Sequence, residues 1–150
     1  MKLVVQRVST ASVRVDGAVV GEIGPGFLVL FGAEKGDTAA LADEAARKVA
    51  GLRVFEDAEG RMNLALADVG GAVLAVSQFT LAADLSRGRR PGFERALPGP
   101  QAEPLYDGFV AALRSLGVAV ETGAFGKSMD VALVNQGPAT FLVELAPPPG

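Results

Sequence analysis

Polar side chains gather at the end of one apolar stretch of this chain. Residues 72–76 form a continuous apolar run, which is typical of a strand buried on both faces. The residues that follow are Ser77, Gln78, Phe79 and Thr80, which bring two hydroxyls and an amide to the strand end. Polar groups held there by a rigid strand could bind and orient a substrate. A strand end that caps its own backbone would show the same pattern, so this segment alone leaves both interpretations open.

The composition restricts the chemistry that these groups could perform. The 150 residues include no His and no Cys, which excludes Ser-His-Asp and Cys-His catalysis, thiolate chemistry and the usual zinc sites. No pair of carboxylates can be placed on one face, so a two-carboxylate hydrolase or a magnesium site has little support. Catalysis would depend on the side chains of Ser, Thr, Tyr, Asp, Glu or Lys, on backbone N–H groups or on a group of the substrate. We expect no metal and no cofactor.

Length and charge describe a globular chain without an obvious membrane segment. Hydrophobic residues make up 49% and charged residues 21% of the chain, and the net charge is −3. A protein of this charge does not bind nucleic acid through its whole surface, although a local basic patch could. No apolar run reaches the roughly 18 residues of a membrane span, and the charge at Arg7 comes too early for the apolar region of a signal peptide. We expect a cytoplasmic protein.

A Gly-Pro pair and a basic loop are further candidates for function. Gly137 and Pro138 lie between two apolar segments, where a simple turn is the common interpretation. A cis X–Pro bond costs only about 0.5–1 kcal/mol, and it could turn two carbonyl oxygens towards a pocket that admits hydrogen and rejects larger groups. Arg87, Arg89 and Arg90 could contact phosphates, although a solvated loop would have the same composition.

The apolar pattern predicts an α+β fold, a mostly antiparallel curved sheet or partial β-barrel that carries two helices. We expect a single domain over residues 1–145 and a disordered Pro-rich tail at 146–150. Asp16 and Gly17 separate two alternating segments, which is a strong hairpin signal. The predicted strands are residues 2–8, 11–15, 18–23, 27–31, a brief one at 63–66, 72–76, 118–121, 129–135 and 139–145, with a turn at 136–138.

The two predicted helices each have an apolar face for the core. The first begins after Asp37 or Thr38 as its N-cap. The second spans residues 101–116, with Pro104 in its first turn and Gly117 after its end. The apolar faces consist of Leu41, Ala45, Val49 and Leu52 in the first helix, and of Leu105, Phe109, Leu113 and Leu116 in the second.

Several stretches, taken together and in order, resemble the D-aminoacyl-tRNA deacylase family. The resemblance extends from one end of the chain to the other at family-like spacing, and it is far more specific than any single motif. The stretches that carry it are residues 1–8, 11–13, 21–26, 76–81 (Val-Ser-Gln-Phe-Thr-Leu), 88–91 (Gly-Arg-Arg-Pro) and 135–140 (Asn-Gln-Gly-Pro-Ala-Thr).

The resemblance implies a homodimer that hydrolyses the ester between a D-amino acid, or glycine, and the 3′-terminal adenosine of tRNA. The family's Ser-Gln-Phe-Thr segment corresponds to residues 77–80, which are expected to be catalytic. Its Gly-cis-Pro pair corresponds to Gly137 and Pro138, and it is expected to enter the active site of the partner subunit and to select chirality. Arg7 and Met129 are expected to border that pair and the substrate.

The chain departs from the family pattern at two positions beside the Gly-Pro pair. The family more often has Asp where this chain has Gln136, and Val where it has Ala139. Both positions flank the pair without altering it. The departures therefore concern the rigidity of the loop more than the activity.

The family's activity would explain why no His is needed. An aminoacyl ester is already activated, and the vicinal ribose hydroxyl can assist the attack of water, so the protein mainly positions the ester and stabilises an oxyanion. We expect the backbone N–H of Phe79 or Thr80 to bind the oxyanion, and Ser77 and Gln78 to position the adenosine or the ester. The rival hypothesis makes Thr80 a nucleophile, but the sequence shows no base beside it.

Two alternatives to a D-specific deacylase stay open on the sequence. The chain could be a tRNA-acceptor binding module that has lost activity, with Gln136 and Ala139 as signs of drift. It could also be a relative that removes mischarged L-alanine, which would need a trans Gly-Pro bond. The intact 77–80 segment favours the D-specific enzyme over both.

Overall fold

The computed structural model describes residues 1–149, in which eight strands and three helices form an α+β fold. The structure has one more helix than predicted. The prediction missed α2 because this helix is too short to produce a helical pattern in the sequence. The strands are β1 (Lys2–Val15), β2 (Ala18–Ile23), β3 (Gly26–Gly32), β4 (Phe55–Glu56), β5 (Met62–Leu64), β6 (Ala72–Ser77), β7 (Ala119–Thr122) and β8 (Asp130–Glu144). The helices are α1 (Ala39–Gly51), α2 (Leu66–Val69) and α3 (Gly99–Ser115).

Six strands make one mixed sheet in the order β2-β1-β3-β6-β7, with β8 paired to β1. The three pairings of β1 are antiparallel, as predicted. The pairings of β6 with β3 and with β7 are parallel, so the description as mostly antiparallel is inaccurate for this half of the sheet. Parallel neighbours need long crossover connections, and the segments that contain α1 and α3 supply them.

The sheet curls until its two edges nearly meet, as the prediction of a partial barrel requires. A Cβ atom at Gly21 of β2 would lie 2.4 Å from the backbone oxygen of Thr122 in β7, although these strands are at opposite ends of the strand order. A side chain at position 21 would therefore push the edges apart. Glycine permits this close backbone approach.

The curled sheet has two apolar faces. One face packs against α1 and α3 through side chains such as Phe27, Val29 and Phe109. Residues of the other face alternate with these along the strands, and they include Leu28 and Val76. The second face carries no helix, and it forms the floor of the cavity described below.

The start of α1 follows the prediction and the details of α3 do not. The hydroxyl of Thr38 accepts a hydrogen bond from the Leu41 N–H at 3.3 Å, which caps α1. Pro100 occupies the first turn of α3, whereas Pro104 lies inside the helix, where it removes one backbone hydrogen bond. The predicted face is also one turn too long, because Leu116 is 50% exposed. The buried residues of α3 are Leu105, Tyr106, Phe109, Val110 and Leu113.

The C-terminal strand differs most from the prediction. Instead of two strands joined by a turn at 136–138, β8 runs on as one antiparallel partner of β1. Asn135 pairs with Val8 and Thr140 pairs with Gln6, so residues 136–139 stand opposite Arg7 alone. The Gly-Pro pair is therefore part of a bulge that protrudes from a continuous strand, which is also a favoured place for proline within a sheet.

The remaining predicted segments are the brief strand at 63–66 and the C-terminal tail. The strand is β5, which ends at Leu64 before α2 begins. Residues 146–149 contain no regular secondary structure. The disorder predicted for the tail stays a prediction, and Gly150 lies outside the described residues. Among the described residues, no helix is long and apolar enough to cross a membrane.

Candidate active site

A cavity of about 510 Å³ opens on the helix-free face of the sheet. A volume of this size suits one small-molecule ligand. The polar groups at the end of β6 line one side of it, and β8 lines another. The lining residues are Gln6, Leu28, Leu30, Val76, Ser77, Gln78, Phe79, Thr80, Gly126, Lys127, Met129, Val131 and Leu133.

The 77–80 segment is held mainly by its backbone. Ser77 is the last residue of β6 and pairs with Phe31 of β3. The Gln78 N–H then donates to the Phe31 oxygen at 2.7 Å, and a 3₁₀ turn begins at Phe79. The Gln78 side-chain amide also donates to the Thr80 hydroxyl at 3.0 Å. This geometry fixes the segment with little help from its own side chains.

A glycine on the neighbouring strand makes room for this turn. A Cβ atom at Gly32 would lie 2.9 Å from Leu81 Cβ and 3.0 Å from the Gln78 oxygen. Real Cβ atoms rarely accept contacts this short, so any larger residue at position 32 must displace the turn. Gly32 therefore belongs to the site although it lines no part of the cavity. Its only sequence signal is a glycine at the end of an apolar strand.

Two backbone N–H groups at the start of the turn are free to bind a ligand. The first N–H groups of a helical turn have no partner within it. In the described part of the chain, the N–H groups of Phe79 and Thr80 donate to no other acceptor. Both residues line the cavity. A pair of adjacent, immobile donors of this kind can stabilise negative charge that develops on a substrate oxygen.

Buried contacts support the end of β6 and the opposite wall. The Tyr106 hydroxyl of α3 donates to the Ala75 oxygen at 2.7 Å, and burial raises the pKa of Tyr106 to about 12. Met129 accepts a hydrogen bond from the Ala124 N–H through its sulfur at 3.4 Å. A Cβ atom at Gly123 would come within 2.7 Å of the same sulfur. Met129 is therefore held in place as a wall of the cavity.

The bulge at 136–139 is held by side chains instead. Arg7 is only 5% exposed, and its guanidinium donates to the Gln136 oxygen at 2.9 Å and to the Val54 oxygen at 2.6 Å. Asn135 closes the base of the bulge, since its side-chain oxygen accepts from the Ala139 N–H at 2.7 Å. Its amide donates to the Thr140 hydroxyl at 2.8 Å. These contacts replace the ladder bonds that the bulge interrupts.

The Gly-Pro pair itself lies at the surface of the chain. The bond between Gly137 and Pro138 is cis, and both residues are exposed. Gly137 has a φ of +139°, and a Cβ atom there would lie 2.8 Å from Nη2 of Arg7. Glycine is therefore required at this position both by its backbone conformation and by the contact with Arg7.

The structure brings together only part of the predicted site. The 77–80 segment and Met129 line the main cavity, whereas Arg7 and Gly137 line a separate cavity of about 340 Å³. Pro138 lines neither of them. The Gly-Pro pair and the 77–80 segment of this chain therefore do not line a common cavity. Asn135 was not predicted as a site residue, although its position next to the Gly-Pro pair was visible in the sequence.

The basic loop has a closed base, and none of its residues lines the main cavity. Asp84 and Gly92 exchange two backbone hydrogen bonds of 2.7 and 2.9 Å. The Ser86 hydroxyl and N–H both donate to the Asp84 carboxylate, and these hydrogen bonds lower the pKa of that group. The three arginines of the loop are exposed between these anchors, and they are Arg87, Arg89 and Arg90.

A family model, curated proteins and a solved structure each match this chain over nearly its whole length. Residues 4–144 match the family model described as D-Tyr-tRNA(Tyr) deacylase. A D-aminoacyl-tRNA deacylase of Symbiobacterium thermophilum is 60% identical over 144 residues, which cover 96% of this chain and 95% of that protein. One from Dinoroseobacter shibae is 59% identical over 144 residues, which cover 96% and 99%. A solved structure titled c-Myc DNA unwinding element binding protein has a TM-score of 0.91 and 39% identity, covering 98% of this chain and 100% of that one.

Proposed function

This chain belongs to the D-Tyr-tRNA(Tyr) deacylase family and is a hydrolase of ester bonds, and from that premise we propose how its residues remove D-amino acids from tRNA. The esterified 3′-terminal adenosine occupies the main cavity. The free N–H groups of Phe79 and Thr80 at its edge are the observation that carries the proposal. They stabilise the oxyanion that forms when water attacks the ester carbonyl.

The protein's part in the reaction is to position groups that are already reactive. Water bonds to the carbonyl carbon, the bond from this carbon to the ribose oxygen breaks, and the ribose oxygen takes up a proton. The neighbouring ribose hydroxyl assists this transfer. Ser77 and Gln78 hold the adenosine or the ester in line with the two donors. The products are free D-amino acid, or glycine, and tRNA.

A second copy of the chain supplies the Gly-Pro pair to each cavity. Gly137 and Pro138 are exposed and lie outside the main cavity of their own protomer, so a partner must bring them to the ester. Val134 and Leu142 on the same strand are also exposed, which is consistent with an apolar contact between copies. The enzyme is therefore proposed to be a homodimer in which each active site contains residues of both subunits.

The enzyme selects the D configuration by excluding L side chains from the site. Carbonyl oxygens of the partner's Gly137 and Pro138 would face the α-carbon of the bound amino acid. They admit its hydrogen and collide with an L side chain, while a D side chain points elsewhere. Glycine has no side chain to exclude, so glycyl-tRNA, including glycine mischarged on tRNA(Ala), is hydrolysed as well. Arg7 keeps the pair in position through the Gln136 oxygen.

The substrate also implies where the enzyme works and how it binds RNA. Aminoacyl-tRNA is used in the cytoplasm, and we place the enzyme there. The exposed loop arginines Arg87, Arg89 and Arg90 contact phosphates of the acceptor end. No metal or cofactor is part of the proposed reaction.

Hydrolysis of D-Tyr-tRNA and L-Tyr-tRNA by the purified protein, with a chelator present, tests the activity and the filter together. We expect rapid loss of the D ester alone, and loss of the glycyl ester in a parallel reaction. Loss of neither Tyr ester would support an inactive binding module instead. Loss of both would contradict the exclusion filter, and preference for L-alanyl-tRNA would support the L-alanine relative.

Mixing two variants tests the shared site. Gly32→Ala damages the cavity and Gly137→Ala damages the pair, so each homodimer should lack D-specific hydrolysis. A heterodimer of the two contains one site in which both parts are intact. We expect mixing to restore up to about a quarter of the wild-type activity, since half of the dimers are mixed and each has one intact site. Absence of any recovery in a sample shown to contain heterodimers would contradict the proposal.

A further inference from the structure

Two aromatic rings are exposed together at the mouth of the main cavity. Phe79 is 58% exposed and Phe93 is 39% exposed, and their ring centroids are 5.0 Å apart in an edge-to-face arrangement. The other aromatic side chains of the described chain are buried or half-buried. Aromatic rings contribute most to stability when they are buried. An exposed pair at a substrate site therefore favours a role in binding.

The backbone that carries both rings is anchored, and the two rings contact each other. Phe79 begins the 3₁₀ turn that follows β6. Phe93 comes directly after Gly92, whose paired hydrogen bonds with Asp84 close the base of the basic loop. The Phe93 oxygen also accepts from the Ala96 N–H at 3.2 Å. A ring that is already fixed loses little conformational entropy when it binds a ligand.

The charges around the pair fit a strand of RNA. Arg87, Arg89 and Arg90 are exposed in the loop that Phe93 follows, and Arg95 is exposed two residues beyond it. Within residues 1–149 none of these four arginines makes a salt bridge, although the Glu94 carboxylate is exposed nearby and the charge of Arg95 helps to lower the pKa of Asp84 after its hydrogen bonds from Ser86. Aromatic faces beside free arginines are the usual means of binding single-stranded nucleic acid without regard to sequence.

Size decides which part of the RNA reaches the pair. A cavity of about 510 Å³ suits one esterified nucleoside, so the preceding nucleotides of the unpaired 3′ end must leave through its mouth. Phe79 lines the cavity and Phe93 contacts Phe79 from outside its lining. The base that precedes the terminal adenosine would therefore meet these rings first.

We propose that Phe79 and Phe93 form a stacking platform for the base that precedes the terminal adenosine, with the loop arginines on the phosphates of the same strand. The platform deepens the proposed function, on which it rests, by assigning a contact to a nucleotide that does not react. It makes affinity depend on the single-stranded 3′ end of the substrate rather than on the ester alone.

A set of shortened substrates tests the platform. Two substrates are compared, a D-aminoacyl ester of adenosine and the same ester on the trinucleotide cytidine-cytidine-adenosine. The KM for each is measured with the wild type and with Phe93→Ala. Loss of one stacking contact is expected to raise the trinucleotide KM about 10-fold relative to the adenosine KM. Phe93→Tyr should keep the wild-type ratio of the trinucleotide KM to the adenosine KM, because it retains an aromatic ring, and Phe93→Leu should not. Equal changes for both esters, or no change, would overturn the proposal.

Two controls distinguish base stacking from a general loss of apolar surface and from a contact between subunits. Leu116→Ala removes a comparably exposed apolar side chain at the end of α3, and it should leave the ratio unchanged. Sedimentation of Phe93→Ala shows whether the ring instead joins two copies, because dissociation of the dimer would assign it to that contact and overturn the platform. Binding of an unesterified, labelled trinucleotide is measured as well. Binding weakened by Phe93→Ala in a protein that hydrolyses no ester would uphold the platform and contradict the proposed activity.

Discussion

The 77–80 segment and the 136–139 bulge are the two parts of the proposed active site, and the protein positions them by different means. The first is an extension of a parallel strand, and backbone hydrogen bonds to β3 hold it. The second interrupts a strand, and the side chains of Arg7 and Asn135 hold it. We therefore expect the backbone-held segment to tolerate loss of its own side chains, whereas the bulge should depend on the side chains of Arg7 and Asn135.

The largest effect is expected for Arg7→Ala, which removes the buried support of the bulge. The Gln136 and Val54 oxygens lose a charged donor, so we expect a loss of about 3 kcal/mol in the free energy of unfolding. Discrimination between D and L esters should weaken in the same variant. Urea unfolding measures the first effect and the ratio of the two hydrolysis rates measures the second.

Arg53→Ala is the matched control for that experiment. Arg53 also donates to a backbone oxygen, that of Asn63, but it does so at the exposed hairpin of β4 and β5. Arg53→Ala should lower the free energy of unfolding by less than about 1 kcal/mol and leave the discrimination between D and L esters unchanged. Equal losses for the two arginines would show that Arg7 has no special role in holding the bulge.

Gly32→Ala tests the backbone-held segment without changing any of its residues. The new methyl group would press on the Gln78 oxygen and on Leu81, and it would displace the two N–H donors. A shift of about 1 Å at a catalytic group can cost about 100-fold in rate, and we expect kcat for D esters to fall by that order. Gly24→Ala, where a Cβ meets nothing within 4 Å, is the control. An unchanged kcat in a folded Gly32→Ala protein would contradict this account.

Asn135→Ala should have an intermediate effect that is confined to the bulge. The Ala139 N–H and the Thr140 hydroxyl lose their partner, which we expect to cost about 1–2 kcal/mol in stability. Hydrolysis of glycyl-tRNA should be nearly unaffected, because glycine needs no filter, while hydrolysis of L esters should rise. A fall in kcat for all substrates alike would place Asn135 in the chemistry rather than in the support of the pair.

The smallest effect is expected for Thr80→Ala, which removes a hydroxyl but keeps the backbone donor. The variant also loses the exposed hydrogen bond from the Gln78 amide, while the backbone hydrogen bonds that hold the segment remain. We expect single-turnover hydrolysis to fall less than about 10-fold, compared with about 10²–10³ for loss of an oxyanion donor. Loss of all activity, or an acyl-enzyme trapped in the wild type, would support Thr80 as the nucleophile.

Local patterns were enough to predict much of the fold. The hairpin at Asp16 and Gly17, the Thr38 cap and the central strands follow from short-range chemistry, and the structure confirms them. The parallel pairing of β6 could not be predicted in this way, because it depends on where two long crossovers lead the chain. The candidate site was also predicted only in part. The 77–80 segment could be recognised at the end of an apolar strand, whereas the role of Gly32 is seen only from its close approach to Leu81.

The sequence by itself determined the chemistry available to this protein. A chain without His and Cys must rely on hydroxyls, carboxylates, lysines, backbone donors or a group of the substrate, and its end-to-end resemblance identified the family that the comparisons confirm. Only the tertiary structure decided that residues 136–139 form a bulge and that the Gly-Pro pair does not line the main cavity of its own chain. The physical reason is distance along the chain, since Arg7 reaches Gln136 across 129 residues, and no local pattern encodes such a contact.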